Sequence, residues 1–177
     1  MVNRATYRGV GLPESGSSEQ KSKKALEWGD VQKTDTDGNC LFHAVSGALR
    51  DLATRDKLAK LKDALECRRE AVRVLRGSPA LRKQYGASAP YLAEMEQTAR
   101  WSWDVERWGS DAEIDAMSRG SLAENEKGER IPIKIRVISA AYPDGFIEFG
   151  EGRLIVLFHA GRNHWEWVKP KGQPAGR

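Results

Sequence analysis

A chain of 177 residues, 40% hydrophobic and 31% charged, has the length and composition of one folded domain with a core of its own. No apolar run reaches the length of a membrane span and no charged-then-apolar segment opens the chain, so neither membrane association nor secretion is expected. A net charge of +4 is too small to single out nucleic acid, and two cysteines, Cys40 and Cys67, make no disulfide framework and point to a reducing, cytosolic setting.

Residues 1–18 are rich in glycine and serine without hydrophobic period, and read as an arm that would touch the domain through Tyr7. The folded unit is expected over 19–169, with a frayed tail at 170–177. A short helix begins near Ser18 or Glu19 and stops at Trp28-Gly29, after which Val31 and Gln32 lead into a polar loop. That loop, Asp37-Gly38-Asn39, delivers Cys40 to the first turn of an amphipathic helix carrying Phe42, Val45, Leu49 and Leu52. The spacing then predicts a longer helix over 55–76, with Leu58, Leu61, Leu65, Val72 and Leu75 as its buried stripe. Gly77 and Pro79 are its stop signal. Cys67 falls opposite that stripe as a semi-buried small hydrophobe. Arg68, Arg69, Arg73 and Arg76 read as a solvated face; a phosphate-binding patch would need interleaved aromatics.

Pro90, preceded by Ser88 and Ala89, opens a helix with Tyr91, Leu92 and Met95. Trp101, Trp103 and Trp108 follow. Ser110 with Glu113 is a capping-box pattern that starts a helix through Ile114 and Met117 to Gly120. Asp111 and Glu113 therefore read first as capping residues and second as substrate contacts. Residues 121–130 read as a polar loop. Then the period changes: Ile133, Ile135 and Val137 alternate with Lys134 and Arg136, as in a half-buried strand. Pro143-Asp144-Gly145 turns into a short strand at 146–149, and Gly150-Glu151-Gly152 into an apolar strand at 153–159. A tight connection at 160–163 leads to a last strand, His164 to Val168. Helices first and a strand meander last make the fold class α+β.

A cysteine at a helix start faces unpaired amides and a partial positive charge, both of which favour the thiolate. Nucleophilic use of it needs a base within reach and a third group to orient the base. The histidines are His43, His159 and His164. His43 is on the cysteine's own helix and suits a local contact; His159 ends a strand and suits a turn. His164 has Glu166 two residues on, on the same side of a strand, with Trp165 and Trp167 on the other. A carboxylate so placed can hold the imidazole's second N–H, which makes His164 the better base. Cys40-x-x-His43 with His159-x4-His164 superficially resembles a zinc site, but one thiolate and a spacer of this length do not suit a structural one, and no metal or other cofactor is expected.

Asp37-Gly38-Asn39-Cys40-Leu41-Phe42-His43-Ala44 resembles the nucleophile motif of the ovarian-tumour (OTU) cysteine proteases. Trp108-Gly109-Ser110 with Glu113 is similar to their tryptophan–glycine segment before a helix, and Asn163-His164-Trp165 to their closing histidine–aromatic motif. The order of the three fits from about Trp28 to Val168. Phe149-Gly-Glu-Gly and Leu157-Phe-His-Ala-Gly look most like the compact viral members; bacterial effectors are as compact, and either origin would put the protein in a host cytosol. The resemblance implies a papain-like fold with a small, mostly antiparallel sheet between helical layers. It implies a monomeric isopeptidase acting on ubiquitin, ubiquitin chains or a ubiquitin-like modifier through an acyl-enzyme. Cys40 would be nucleophile, His164 general base and Asp37 the acid beside the cysteine loop, with amides of Cys40 and of the Asp37, Gly38, Asn39 loop as oxyanion donors. Trp165 would line the channel for the modifier's tail, and the acidic residues of 104–113, Asp111 and Glu113 among them, would meet its basic end. Family members have Asp or Asn two residues after the histidine where this chain has Glu166, so Asp37 and Glu166 compete for the third place. Alternatives are a catalytically silent ubiquitin-binding scaffold, a basic nucleic-acid module and a small-molecule thiol transferase.

Overall fold

The computed structural model describes residues 17–97, 109–160 and 164–172. The expectations for 1–16, for Trp101, Trp103, Trp108 and Asn163, and for 173–177 lie outside those residues.

Helix α1 (Ser18–Leu26) starts where Ser17 and Gln20 cap each other reciprocally. Val31 and Gln32, expected as a lead-in, belong to strand β1 (Gly29–Gln32). Helix α2 (Cys40–Arg55) carries the expected stripe: Phe42, Val45 and Leu49 are 0% exposed.

The single helix expected over 55–76 is a correction. The chain leaves helical geometry at Asp56, forms the two-residue strand β2 (Lys60–Leu61), and restarts as α3 (Ala64–Gly77). The restart is local chemistry: the Asp63 carboxylate accepts the Glu66 N–H and the Glu66 carboxylate accepts the Asp63 N–H, at 2.9 and 2.8 Å. Leu58 and Leu61 therefore pack from outside the helix, and Leu65 is exposed. The true buried face is Cys67, Arg68, Ala71, Val72 and Leu75. Cys67, expected semi-buried on the far side, is in the core, and Arg68, expected in solvent, is fully buried.

Helix α3 ends at Gly77, where the stop signal stood, and Pro79 then opens α4 (Pro79–Tyr85) under the Ser78 hydroxyl, because a proline at the first helical position lacks only an N–H that would be unpaired anyway. Helix α5 (Ala89–Glu96) starts at Ser88, and α6 (Asp111–Arg119) at Ser110, as expected. In the stretch read as a loop, β3 (Ala123–Glu124) pairs with β2.

Strands β4 (Ile133–Ile138), β5 (Phe146–Phe149), β6 (Arg153–His159) and β7 (Trp165–Pro170) join β1 in a five-stranded sheet ordered β1-β7-β6-β4-β5. Only β4 and β6 run parallel; the other pairs are antiparallel. Pro170 pairs with Gly29, so the last strand reaches into the expected tail. One face packs on α2 and α6; on the other, Ile138, Val156 and Val168 lie under Ala25, Leu26 and Trp28. The α+β class and a sheet between helical layers are both present. Gly47 sets how closely α2 lies on β7: a Cβ there would stand 2.5 Å from the Trp167 Nε1. The start of α2 is thereby brought to the start of β7.

Glu70 ties α3 to the turn after α6. Its carboxylate accepts Arg73 at 2.6 and 2.9 Å and the Ser121 N–H at 2.8 Å. The Arg73 bonds hold its pKa below the ordinary 4.5. A folded-state value below the unfolded one gives stability that is present above the ordinary carboxylate range and lost as pH falls through the folded value. Glu70→Gln is therefore expected to lower stability at pH 7 and to converge on the parent as pH falls below the carboxylate's folded-state value. Urea melts across that range check this; a constant offset would refute it.

Candidate active site

The turn before α2 is built by Asp37. Its carbonyl accepts the Cys40 N–H at 3.2 Å, and its carboxylate Oδ1 accepts the Asn39 N–H at 2.9 Å, an Asx turn. Its other oxygen lies 3.3 Å from Nε2 of His43. Asp37 thus faces His43. The Asn39 amide, named among the expected oxyanion donors, is directed onto Asp37, whereas Gly38 N–H lies on the opposite edge of a peptide whose carbonyl turns inward, and so points away from the turn.

Cys40 is the first residue of α2 and 8% exposed. Burial pushes its thiol above the usual cysteine value, with the Asp37 charge acting in the same direction; hydrogen bonding from the Trp165, Leu41 and Cys40 amides pulls it back. The expectation that the helix start would by itself favour the thiolate is corrected here, because desolvation outweighs the amides. Those same amides locate the sulfur: it sits at the start of β7, in reach of the residue next to His164.

His164 immediately precedes β7, its Nε2 3.6 Å from Oε1 of Glu166, with the two side chains 26% and 13% exposed. The strand period puts the carboxylate on the histidine's side. With Nε2 turned to Glu166, Nδ1 is the nitrogen that remains for a proton in transit. Thr34 fastens this end of the strand to the cysteine loop by donating to the Trp165 carbonyl at 2.5 Å.

The residues expected to touch substrate make contacts within the fold. Trp165 is 5% exposed and its ring stacks on His159 with centroids 4.5 Å apart, so its main chain, not its indole, addresses Cys40. Glu113 is 0% exposed, accepts the Tyr91 hydroxyl at 2.5 Å, and caps Ser110 through its N–H and hydroxyl at 2.7 and 3.0 Å. It is a buried structural carboxylate, its pKa raised by burial, and reaches no substrate. Asp111 accepts the Tyr142 hydroxyl at 2.9 Å. Among the described residues no group of three His, Cys, Asp or Glu side chains could hold a metal. No described helix is long and apolar enough to cross a membrane.

Sequence reasoning missed Thr34 and Arg68. Arg68 donates to the Gly38 carbonyl at 3.2 Å and to Oδ1 of Asn39 at 2.8 Å. A signal for it existed: Arg68 shares helical spacing with Ala71, Val72 and Leu75, the true buried face. Thr34 carried none, since its partner is far away in the chain.

Residues 35–122 match the family model of OTU-like cysteine proteases. That segment includes the Asp37–Cys40 turn and α6, and ends before His164. No curated protein matches the chain. Among solved structures, the chain is similar to the viral OTU domain protease from Taggert virus, with 19% identity over 83% of each chain and a TM-score of 0.53. It is similar also to the OTU domain of OTUD1, with 15% identity over 86% of this chain and 94% of that one and a TM-score of 0.55. At such identities the likeness is one of fold.

Proposed function

Because this chain belongs to the OTU-like cysteine proteases, we propose that it removes ubiquitin or a ubiquitin-like modifier from conjugates, with Cys40 as nucleophile, His164 as general base and Glu166 as the group that orients His164. The observation that carries this reading is the meeting of the Cys40 thiol with the start of β7, where His164 faces Glu166. In the mechanism, His164 takes the thiol proton as the sulfur attacks the carbonyl joining the modifier's C-terminal glycine to a lysine amine. A thiol held protonated by burial makes that proton transfer obligatory. The oxyanion forms against the main-chain amide of Gly38, since the Asn39 and Cys40 amides are directed onto Asp37; one such donor is typically worth about 3–4 kcal/mol. The imidazolium then protonates the departing amine, and water, deprotonated by His164, cleaves the thioester. The modifier leaves with a free carboxylate and the thiol is restored.

A ubiquitin bearing a C-terminal electrophile tests the reading. The expected result is one covalent adduct on Cys40, absent in Cys40→Ala and retained in Cys67→Ala, since Cys67 is 0% exposed. Labelling that survives Cys40→Ala sinks it, and no labelling by ubiquitin or any related modifier would leave a silent binding domain. The third place is tested separately. Glu166→Gln is expected to lower turnover by roughly 100-fold, since loss of an orienting carboxylate can cost more than that. Asp37→Asn, acting through the turn and His43, should cost less. The reverse ranking would give the role to Asp37.

A further inference from the structure

We propose that Arg68 is the positioning residue of the nucleophile turn: its guanidinium holds the Gly38–Asn39 peptide and the Asn39 side chain in an arrangement that leaves the start of α2 open to the reacting sulfur. This rests on the catalytic reading of Cys40 given above. Arg68 is 0% exposed, and a buried charge is costly unless acceptors surround it. Here Nη2 donates to the Gly38 carbonyl and to Asn39 Oδ1, and Nη1 to the Met95 carbonyl at the end of α5. The guanidinium lies over the Phe42 ring, 4.4 Å from its centre. An apolar side chain would fill the space; only a planar fork gripped by α2, α3 and α5 can impose a direction on the turn.

Two consequences follow at Cys40. The Gly38–Asn39 peptide is clamped on both edges, its carbonyl by Arg68 and its N–H by the Asp37 carboxylate. Peptide planarity then fixes its orientation. Asn39 also occupies the N-cap of α2, where an asparagine oxygen ordinarily accepts an amide of the first turn. Its Oδ1 is engaged by Arg68 and does not cap the helix. The Leu41 amide remains directed at the Cys40 sulfur.

The test compares Arg68→Met, Arg68→Lys and Asn39→Ala with the parent. Turnover of a ubiquitin C-terminal amide gives kcat and KM, and iodoacetamide labelling of Cys40 against pH, read by mass spectrometry, gives a signal independent of ubiquitin. Folding is followed in urea. In a folded Arg68→Met, kcat is expected to fall about 100-fold with KM within about threefold, the size of losing one oxyanion donor. The labelling midpoint should rise by about one pH unit as the helix start ceases to favour the thiolate. Lysine, a point charge without the fork, should not restore either. Asn39→Ala, which takes away the oxygen that Arg68 keeps off the helix start, should leave the midpoint near the parent's, and in the double variant should return the midpoint of Arg68→Met toward it. A folded Arg68→Met with unchanged kcat and midpoint overturns the proposal. Should Arg68→Met fail to fold, Arg68→Lys decides: parent-like kcat and midpoint overturn the proposal, shifted ones support it. A midpoint shifted in Arg68→Met, beside a parent that never turns over ubiquitin, would retire the substrate assignment and keep Arg68 in place.

Discussion

His164→Ala is expected to lower turnover of a ubiquitin conjugate by about a thousandfold or more, the range for a positioned general base. The histidine stands before β7, not in its ladder, so the fold should survive and urea melts should nearly superimpose. The loss follows from the thiol's state: with burial holding Cys40 above its usual pKa, little thiolate exists at neutral pH unless a base takes the proton as attack begins. The residual rate of His164→Ala should therefore climb about tenfold per pH unit until the thiol itself titrates. A variant as active as the parent, or one whose rate is flat with pH, would show that another group takes the proton.

Phe42→Ala is expected to cost about 3–5 kcal/mol, as truncating a buried aromatic does. Phe42 is 0% exposed in the main core and also lies under the Arg68 guanidinium. Its removal takes away both packing and the plate that keeps that charge flat. Against a typical domain stability of about 5–15 kcal/mol, such a change leaves a protein that unfolds in mild urea. A loss below about 1 kcal/mol would mean that the cavity collapses without disturbing its neighbours. Activity should fall further than the unfolded fraction explains, since the turn before Cys40 is held through the same contact.

The parts legible in the sequence are those set by neighbours in the chain. Ser110 with Glu113 started a helix where expected, because a capping box is a contact across three residues. The stripe of α2 and the alternation of β4 were readable for the same reason: helix and strand periods are local geometry. The strand period also put Glu166 on the side of His164, and the structure has the two 3.6 Å apart. Even the failure over 55–76 was local in origin. Leu58, Leu61 and Leu65 happen to keep phase with Val72 and Leu75, but Asp63 and Glu66 form a second capping box that period counting passed over.

By itself, then, the sequence determined the cysteine at the head of an amphipathic helix, the histidine with a carboxylate on its side of a strand, and the family motifs that join them. Tertiary structure alone decided which charges pair and which are buried, since pairing depends on surfaces brought together from distant parts of the chain. It buried Glu113 under Tyr91, and carried Arg68 from an apparently solvated run of arginines to the underside of the turn before Cys40. It also set the Cys40 thiol among the amides of both α2 and β7, where burial outweighs the pull of the helix start.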